Sequence, residues 1–281
     1  MRTALECFPC FLRQTVIALK QQTDDPQVQE DIIKAVAPLI QHADTSKPPA
    51  YTTTFIHRLI REKLRHDPFS RIKQEYNGIA LGLYPSLKET VRKSADPLKT
   101  AARLAIAGNV IDFGVFASVD IEGSVSRAME SSIEVDDYQS FTEAVTAATE
   151  ILYLLDNAGE IVFDRLLIEE LTVRGKTVRA VVKGSPVLND VTMEDAVQTG
   201  LTDICEVIDN GCDGIGTILE WTSQDFRDEY EQAEFIISKG QGNFETLFGN
   251  RKKTHFLFQA KCEVIARELD LPFGSMLLKS S

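Results

Sequence analysis

The stretch Ile151-Leu152-Tyr153-Leu154-Leu155-Asp156-Asn157-Ala158-Gly159-Glu160 joins an apolar run to a polar, glycine-containing turn. Residues 161–173 then return to helical spacing, so the whole segment reads as strand, turn and helix. The same texture recurs downstream. Strands are expected at 177–182, 203–208, 235–238 and 254–258, with helices at 214–230 and 243–247 between them. Each strand is a near-continuous apolar run, which is the mark of a parallel sheet covered on both faces.

Upstream the pattern differs. Segments 9–20, 27–41, 51–65, 69–83, 97–107, 124–132 and 141–149 mix apolar positions at three- and four-residue spacing with polar ones. Breaks fall at Asp24-Asp25-Pro26, Lys47-Pro48-Pro49, Asp67-Pro68 and Asp96-Pro97. The expected architecture is a helical N-terminal domain over 1–149, followed by a Rossmann-like, mostly parallel α/β domain over 150–281.

The 281 residues include 43% hydrophobic and 26% charged side chains, enough for a sizeable core. The formal charge of -12 is uneven: residues 1–150 hold 17 basic and 20 acidic side chains, residues 151–281 hold 13 and 22. An acidic second half disfavours nucleic acid or anionic lipid as partner and directs the search for a cation there. No apolar stretch is long enough for a membrane helix or a signal peptide, so a cytoplasmic protein is expected. Five cysteines are an odd number for a disulfide framework.

In open parallel sheets ligands bind beyond the carboxyl ends of the strands. Four such ends offer Asp156 to Glu160, Lys183 to Asp190, Asp209-Asn210-Gly211 and Lys239-Gly240-Gln241-Gly242-Asn243. Asn157 with Glu160 also fits a capping box for the next helix, and both readings stay open. Asp156 precedes the cap and has no helical task. Thr192 with Asp195 already starts the following helix, which leaves Asn189 and Asp190 unexplained by capping. Oxygen ligands of this kind suit Mg²⁺ or Mn²⁺ and, less selectively, Co²⁺ or Ni²⁺. Lys183 and Lys239 could each meet a phosphate, although a surface lysine is the simpler account of Lys183.

Other chemistries lack their residues. The Walker pattern is absent, no Gly-x-Ser-x-Gly elbow occurs, and His42, His57, His66 and His255 form no metal-type pairing. Cys7-Phe8-Pro9-Cys10 permits packed thiols, a redox pair or a metal site.

Together, residues 152–160, the Lys183 to Asp190 loop and Ser238-Lys239-Gly240-Gln241-Gly242-Asn243-Phe244-Glu245 resemble the damage-control phosphatase family, domain of unknown function 89. Cys7-Phe8-Pro9-Cys10 and Gly108-Asn109-Val110-Ile111-Asp112-Phe113-Gly114 are similar to its short prokaryotic branch. The resemblance implies a divalent metal held by Asp156, Asn157 and Asp190. It implies phosphatase activity on small phosphorylated metabolites, with phosphate contacts at Lys239 and neighbouring roles for Glu160, Asn109 and Asp112. On this reading Lys183, Gly240 and Asn243 complete the substrate site. Attack by water or by Asp156 itself would both serve. The rival readings are an S-adenosylmethionine-dependent carboxyl methyltransferase and a non-catalytic metal- or metabolite-binding module.

Overall fold

The computed structural model describes residues 1–110, 121–250 and 252–281. Its elements run α1 (Cys7–Gln22), α2 (Pro26–Gln41), α3 (Pro49–Leu64), α4 (Ser70–Lys93), α5 (Pro97–Val110), α6 (Ile121–Glu130), β1 (Ile133–Asp136), α7 (Tyr138–Ala147), β2 (Glu150–Leu154) and α8 (Glu160–Val173). They continue with β3 (Thr177–Val182), α9 (Met193–Gln198), β4 (Glu206–Asp209), α10 (Gln224–Gln232), β5 (Ile236–Lys239), α11 (Gln241–Leu247), β6 (Thr254–Gln259), α12 (Glu263–Glu268) and β7 (Met276–Ser280). No helix among the described residues is long and apolar enough to cross a membrane.

The seven strands form one sheet in the order β1-β7-β6-β5-β2-β3-β4. Every pairing is parallel except that of β6 with β7. The chain steps from β2 outward to β3 and β4, then returns to place β5 on the other side of β2. The crevice between the carboxyl ends of β2 and β5 is thus a switch point, where open sheets bind ligands.

Burial alternates along β2. Ile151, Tyr153 and Leu155 join the core built with α4, α5 and α8, whereas Leu152 and Leu154 face Phe226, Tyr230, Phe244 and Leu247 of α10 and α11. Helix α8 is buried over most of its surface, including Ile161, Val162, Phe163, Leu166, Leu167, Ile168 and Leu171 and the acids Glu160 and Asp164. Gly108 lets α5 approach it closely, since a Cβ at 108 would lie 2.9 Å from Phe163 Cβ. Helices α1 to α3 have a separate core around Phe11, Leu19, Ile32, Val36, Ile56 and Ile60, closed by Val264 of α12. The expected break at Asp25-Pro26 is a helix start, where the Asp25 carboxylate accepts from the Gln27 and Val28 N–H groups.

A helical N-terminal region followed by a mostly parallel α/β sheet is what the sequence predicts, with three local differences. Strands β1 and β7 extend the sheet beyond the expected five, and the expected boundary at 149/150 follows a strand already in that sheet. Helix α4 continues past Pro85 to Lys93 because Leu87 and Val91 are buried in the main core, which outweighs one missing backbone hydrogen bond. The expected helix at 214–230 begins only at Gln224, where Ser223 Oγ accepts from Phe226 N–H. Asp112 lies outside the described residues.

Candidate active site

Beyond β2 the chain is fastened to the segment that follows β3. Ala158 N–H donates to Asn189 O at 2.8 Å, Val191 N–H donates to Asp156 O at 2.9 Å, and Asn157 bridges Asp190 in antiparallel fashion. This short ladder sets Asp156, Asn157 and Asp190 side by side at the switch point. Gly159, at φ 78°, then turns the chain into α8, and its N–H donates to Asn77 Oδ1 of α4 at 2.7 Å. The Asn77 amide also donates to Asp195 Oδ1 at 2.9 Å, while Lys73 pairs with Asp195 Oδ2 at 2.8 Å. Helix α4 therefore clamps both loops.

No side-chain cap starts α8, so the capping box that Asn157 and Glu160 could have formed is not made. The Asn157 amide instead donates to Asp156 Oδ2 at 2.6 Å and to Glu160 Oε2 at 3.3 Å. The other expected cap is present, with Thr192 N–H donating to Asp195 Oδ2 at 2.8 Å. Asn189 and Asp190 thus remain free of capping duty.

Two carboxylates here are under electrostatic pressure. Burial, with Glu160 and Asp190 close by, pushes the Asp156 carboxyl well above the ordinary range, and Lys261 and Lys183 oppose the shift. Burial also raises Asp190, against the charge of Lys183. Asp190 is 3% exposed. Its Oδ2 lies 3.4 Å from Lys183 Nζ as an ion pair but receives no directed hydrogen bond among the described residues. A buried carboxylate oxygen in that condition is costly unless a cation completes it. Gly240, at φ 79°, leaves the necessary room, because a Cβ there would fall 1.9 Å from Asp156 Oδ2.

Several residues expected to touch substrate are occupied by the protein. Lys239 is fully buried, and its Nζ donates to Ala105 O at 2.8 Å, Glu160 Oε1 at 2.5 Å and Asp164 Oδ1 at 2.7 Å. An ammonium has three protons, so none is left for a phosphate. Against the cost of burial, Asp164 and Glu160 hold this lysine above its ordinary range. Glu160 is spent likewise, its Oε2 accepting from Asn109 Nδ2 at 2.9 Å. Asn109 Nδ2 also reaches Asp156 Oδ2 at 3.2 Å, and its Oδ1 accepts from Gln259 N–H at 3.0 Å. Asn243 donates to Leu155 O and Lys239 O and accepts from Thr217 Oγ1, tying β2, β5 and the loop after β4 together. Lys183 donates to Gly216 O. The Gly240 N–H, expected to face an anion, donates to Leu257 O at 3.3 Å within the sheet.

Two residues escaped the sequence reading. Asp164 lies one turn after Glu160 on α8 and accepts from Tyr153 OH at 2.8 Å as well as from Lys239. Burial raises it to about 7, with Lys239 opposing and Glu160 adding to the shift. Its i, i+4 spacing from Glu160 was the available signal. Lys261 follows β6 by two residues, so the strand-end rule applied to a fifth strand would have found it. It is half-buried, its charge bears on Asp156, and among the described residues its ammonium has no acceptor.

Among the described residues no three His, Cys, Asp or Glu side chains are arranged to hold a metal. The residues that could do so are two carboxylates and a carboxamide, Asp156, Asp190 and Asn157. An all-oxygen set in which one buried oxygen, ion-paired with Lys183, accepts no hydrogen bond among the described residues fits a hard divalent cation.

Known proteins resemble this chain along nearly its whole length. The damage-control phosphatase ARMT1-like domain matches residues 3–277. A damage-control phosphatase of Archaeoglobus fulgidus is 33% identical over 99% of each chain. An uncharacterized protein of Methanocaldococcus jannaschii is 35% identical over 97% of this chain and 93% of its own. The crystal structure of the Pyrococcus horikoshii damage-control phosphatase PH1575, described as a DUF89 family protein, superposes with a TM-score of 0.92. It is 33% identical and covers 100% of this chain and 99% of its own. With the domain matched from near one end to the other and two such phosphatases aligned along nearly their whole length, the chain belongs to the damage-control phosphatase ARMT1-like domain family.

Proposed function

We propose that this chain is a metal-dependent phosphatase of small phosphorylated metabolites. Asp156, Asn157 and Asp190 hold the cation and Lys261 meets the phosphate. The observation that carries this reading is the buried Asp190 Oδ2 without a hydrogen bond, beside a second repelled carboxylate, at the switch point of the sheet. A bound divalent ion would supply a Lewis acid for a phosphoryl oxygen and lower the pKa of a water.

The chain's own residues have separable tasks. Asn109 and Asn157 orient Asp156 by donating to Oδ2, and Gly240 leaves its carboxylate uncrowded. Lys239 does not contact substrate; it neutralises Glu160 and Asp164 beneath the site and holds α8 against β5. Lys261, whose ammonium has no acceptor among the described residues, offsets charge on the transferring phosphoryl group.

The test is phosphate release from p-nitrophenyl phosphate by chelator-stripped protein resupplied with Mn²⁺, Co²⁺, Ni²⁺ or Mg²⁺. Release should require metal and fall by about 100-fold or more in Asp190→Ala. Metal-independent release, or full activity in Asp190→Ala, would sink the assignment.

A further inference from the structure

A cavity of about 510 Å³ opens beside the site, between α1 and the turns that follow β5 and β6. Cys7, Cys10 and Phe11 of α1 form one wall, and Gln241, Glu245 and Cys262 stand opposite. The cavity lies next to the catalytic edge on two counts. Lys261 lines it and is the lysine whose charge bears on Asp156, while Gly242, also in its lining, lies two residues from the Gly240 that touches Asp156.

We propose that this cavity receives the leaving group of the phosphate ester and selects one whose far end donates a hydrogen bond to Glu245. The proposal rests on the phosphatase reading and deepens it. Glu245 is 8% exposed, and its Oε1 accepts from Gln241 Nε2 at 2.8 Å. A carboxyl group buried in a cavity wall recognises an amide, hydroxyl or ammonium, because leaving it without a donor is unfavourable. Burial lifts it to about 7, so at neutral pH it accepts a hydrogen bond without demanding a full counter-charge.

The three thiols are the soft part of the lining. Desolvation raises the pKa of Cys7 and Cys262, and also of Cys10 at the more open rim, so all three are neutral near pH 7 and act as small polarisable apolar surface. No metal-holding arrangement includes them among the described residues. Cys7-x-x-Cys10 is therefore assigned to the wall of a binding pocket. The expected substrates are monoesters whose alcohol has an apolar stem and a donor head, longer than the alcohol of a two-carbon phosphate.

A series of ω-aminoalkyl phosphates from aminoethyl to aminohexyl tests this with the metal-loaded enzyme. In the wild type kcat/KM should rise by about tenfold or more along the series. Glu245→Gln and Cys10→Trp, the latter at an exposed position on the rim, should each flatten that rise. Inhibition by inorganic phosphate, which reports only the phosphate end, should stay within about twofold in both variants. The non-hydrolysable 6-aminohexylphosphonate should also slow alkylation of Cys10 by iodoacetamide in metal-loaded protein at alkaline pH, where the thiolate forms. A flat wild-type series, a rise retained in both variants, or unprotected Cys10 overturns the pocket while metal-dependent hydrolysis of aminoethyl phosphate still supports the phosphatase. Absence of hydrolysis across the series with every metal overturns both.

Discussion

Lys239 and Lys261 both serve the acid cluster at the switch point, yet they inhabit different regions. The floor around Lys239 is dry: one ammonium, two carboxylates, a tyrosine hydroxyl and a backbone carbonyl are all buried, and every lysine proton is used, although Asp164 Oδ2 accepts no hydrogen bond among the described residues. The rim around Lys261 is open: a half-buried ammonium without an acceptor among the described residues, a carboxylate repelled by its neighbours, and a cavity alongside. A buried ion pair saturated by the protein costs desolvation and returns geometry. Unsaturated charge at a crevice is where a ligand adds the missing partner. Both lysines stand at the carboxyl end of a strand, so what separates support from chemistry is whether the ammonium's protons are already taken.

If the rim holds the chemistry, the largest effect belongs to Asp156. Asp156→Asn keeps the shape and the hydrogen bonds from Asn109 and Asn157 but removes one negative charge. Metal-dependent phosphate release should drop on the order of 1000-fold or more. Metal-free protein should become more stable by about 1 kcal/mol, because one of two crowded carboxylates is gone. Activity assays beside thermal melts decide it; lost activity with lost stability would assign Asp156 to the floor.

Lys239→Met should show the opposite signature. Removing the ammonium strands Glu160 and Asp164 in a dry interior, and the expected cost is about 3–5 kcal/mol. Urea unfolding would measure it. A variant that keeps wild-type stability while its KM rises would return Lys239 to the substrate. Lys261→Ala is the counterpart at the rim. KM and the inhibition constant for inorganic phosphate should rise by roughly 10- to 100-fold, with the melting temperature almost unmoved.

The switch point was legible in the sequence, whereas the contrast between the two lysines was hidden for physical reasons. Ile151 to Leu155 is buried on both faces, so its apolar run announced a central parallel strand. Strand ends then located Asp156 and Asp190 without knowledge of any contact. Strands β1 and β7 were not legible, because Ile133-Glu134-Val135-Asp136 is half-exposed and short, and Met276 to Ser280 pairs with a distant segment. Nor does sequence report who satisfies whom. Lys239, Asn109 and Asn243 have the right residue types at the right addresses, but their donors and acceptors are consumed by groups 4 to 150 residues away in sequence. Cys7 and Cys10 gained meaning only when folding placed Glu245, Lys261 and Cys262 across a cavity from them.

Glu245 offers the finest test, since it is buried like the floor but lines the open cavity. Its folded pKa of about 7 lies above the ordinary 4.5. The folded state therefore retains a proton that the unfolded chain has released between these values. Sign follows directly: the group's contribution is intact below pH 4.5 and is progressively lost as pH rises through 7. Glu245→Gln has no proton to lose. Relative to wild type it should gain roughly 2 kcal/mol above pH 8 and close to nothing near pH 4, read from urea unfolding at the two pH values. An equal difference at both would mean that the carboxyl group is solvated like a rim residue and titrates as it does in the unfolded chain.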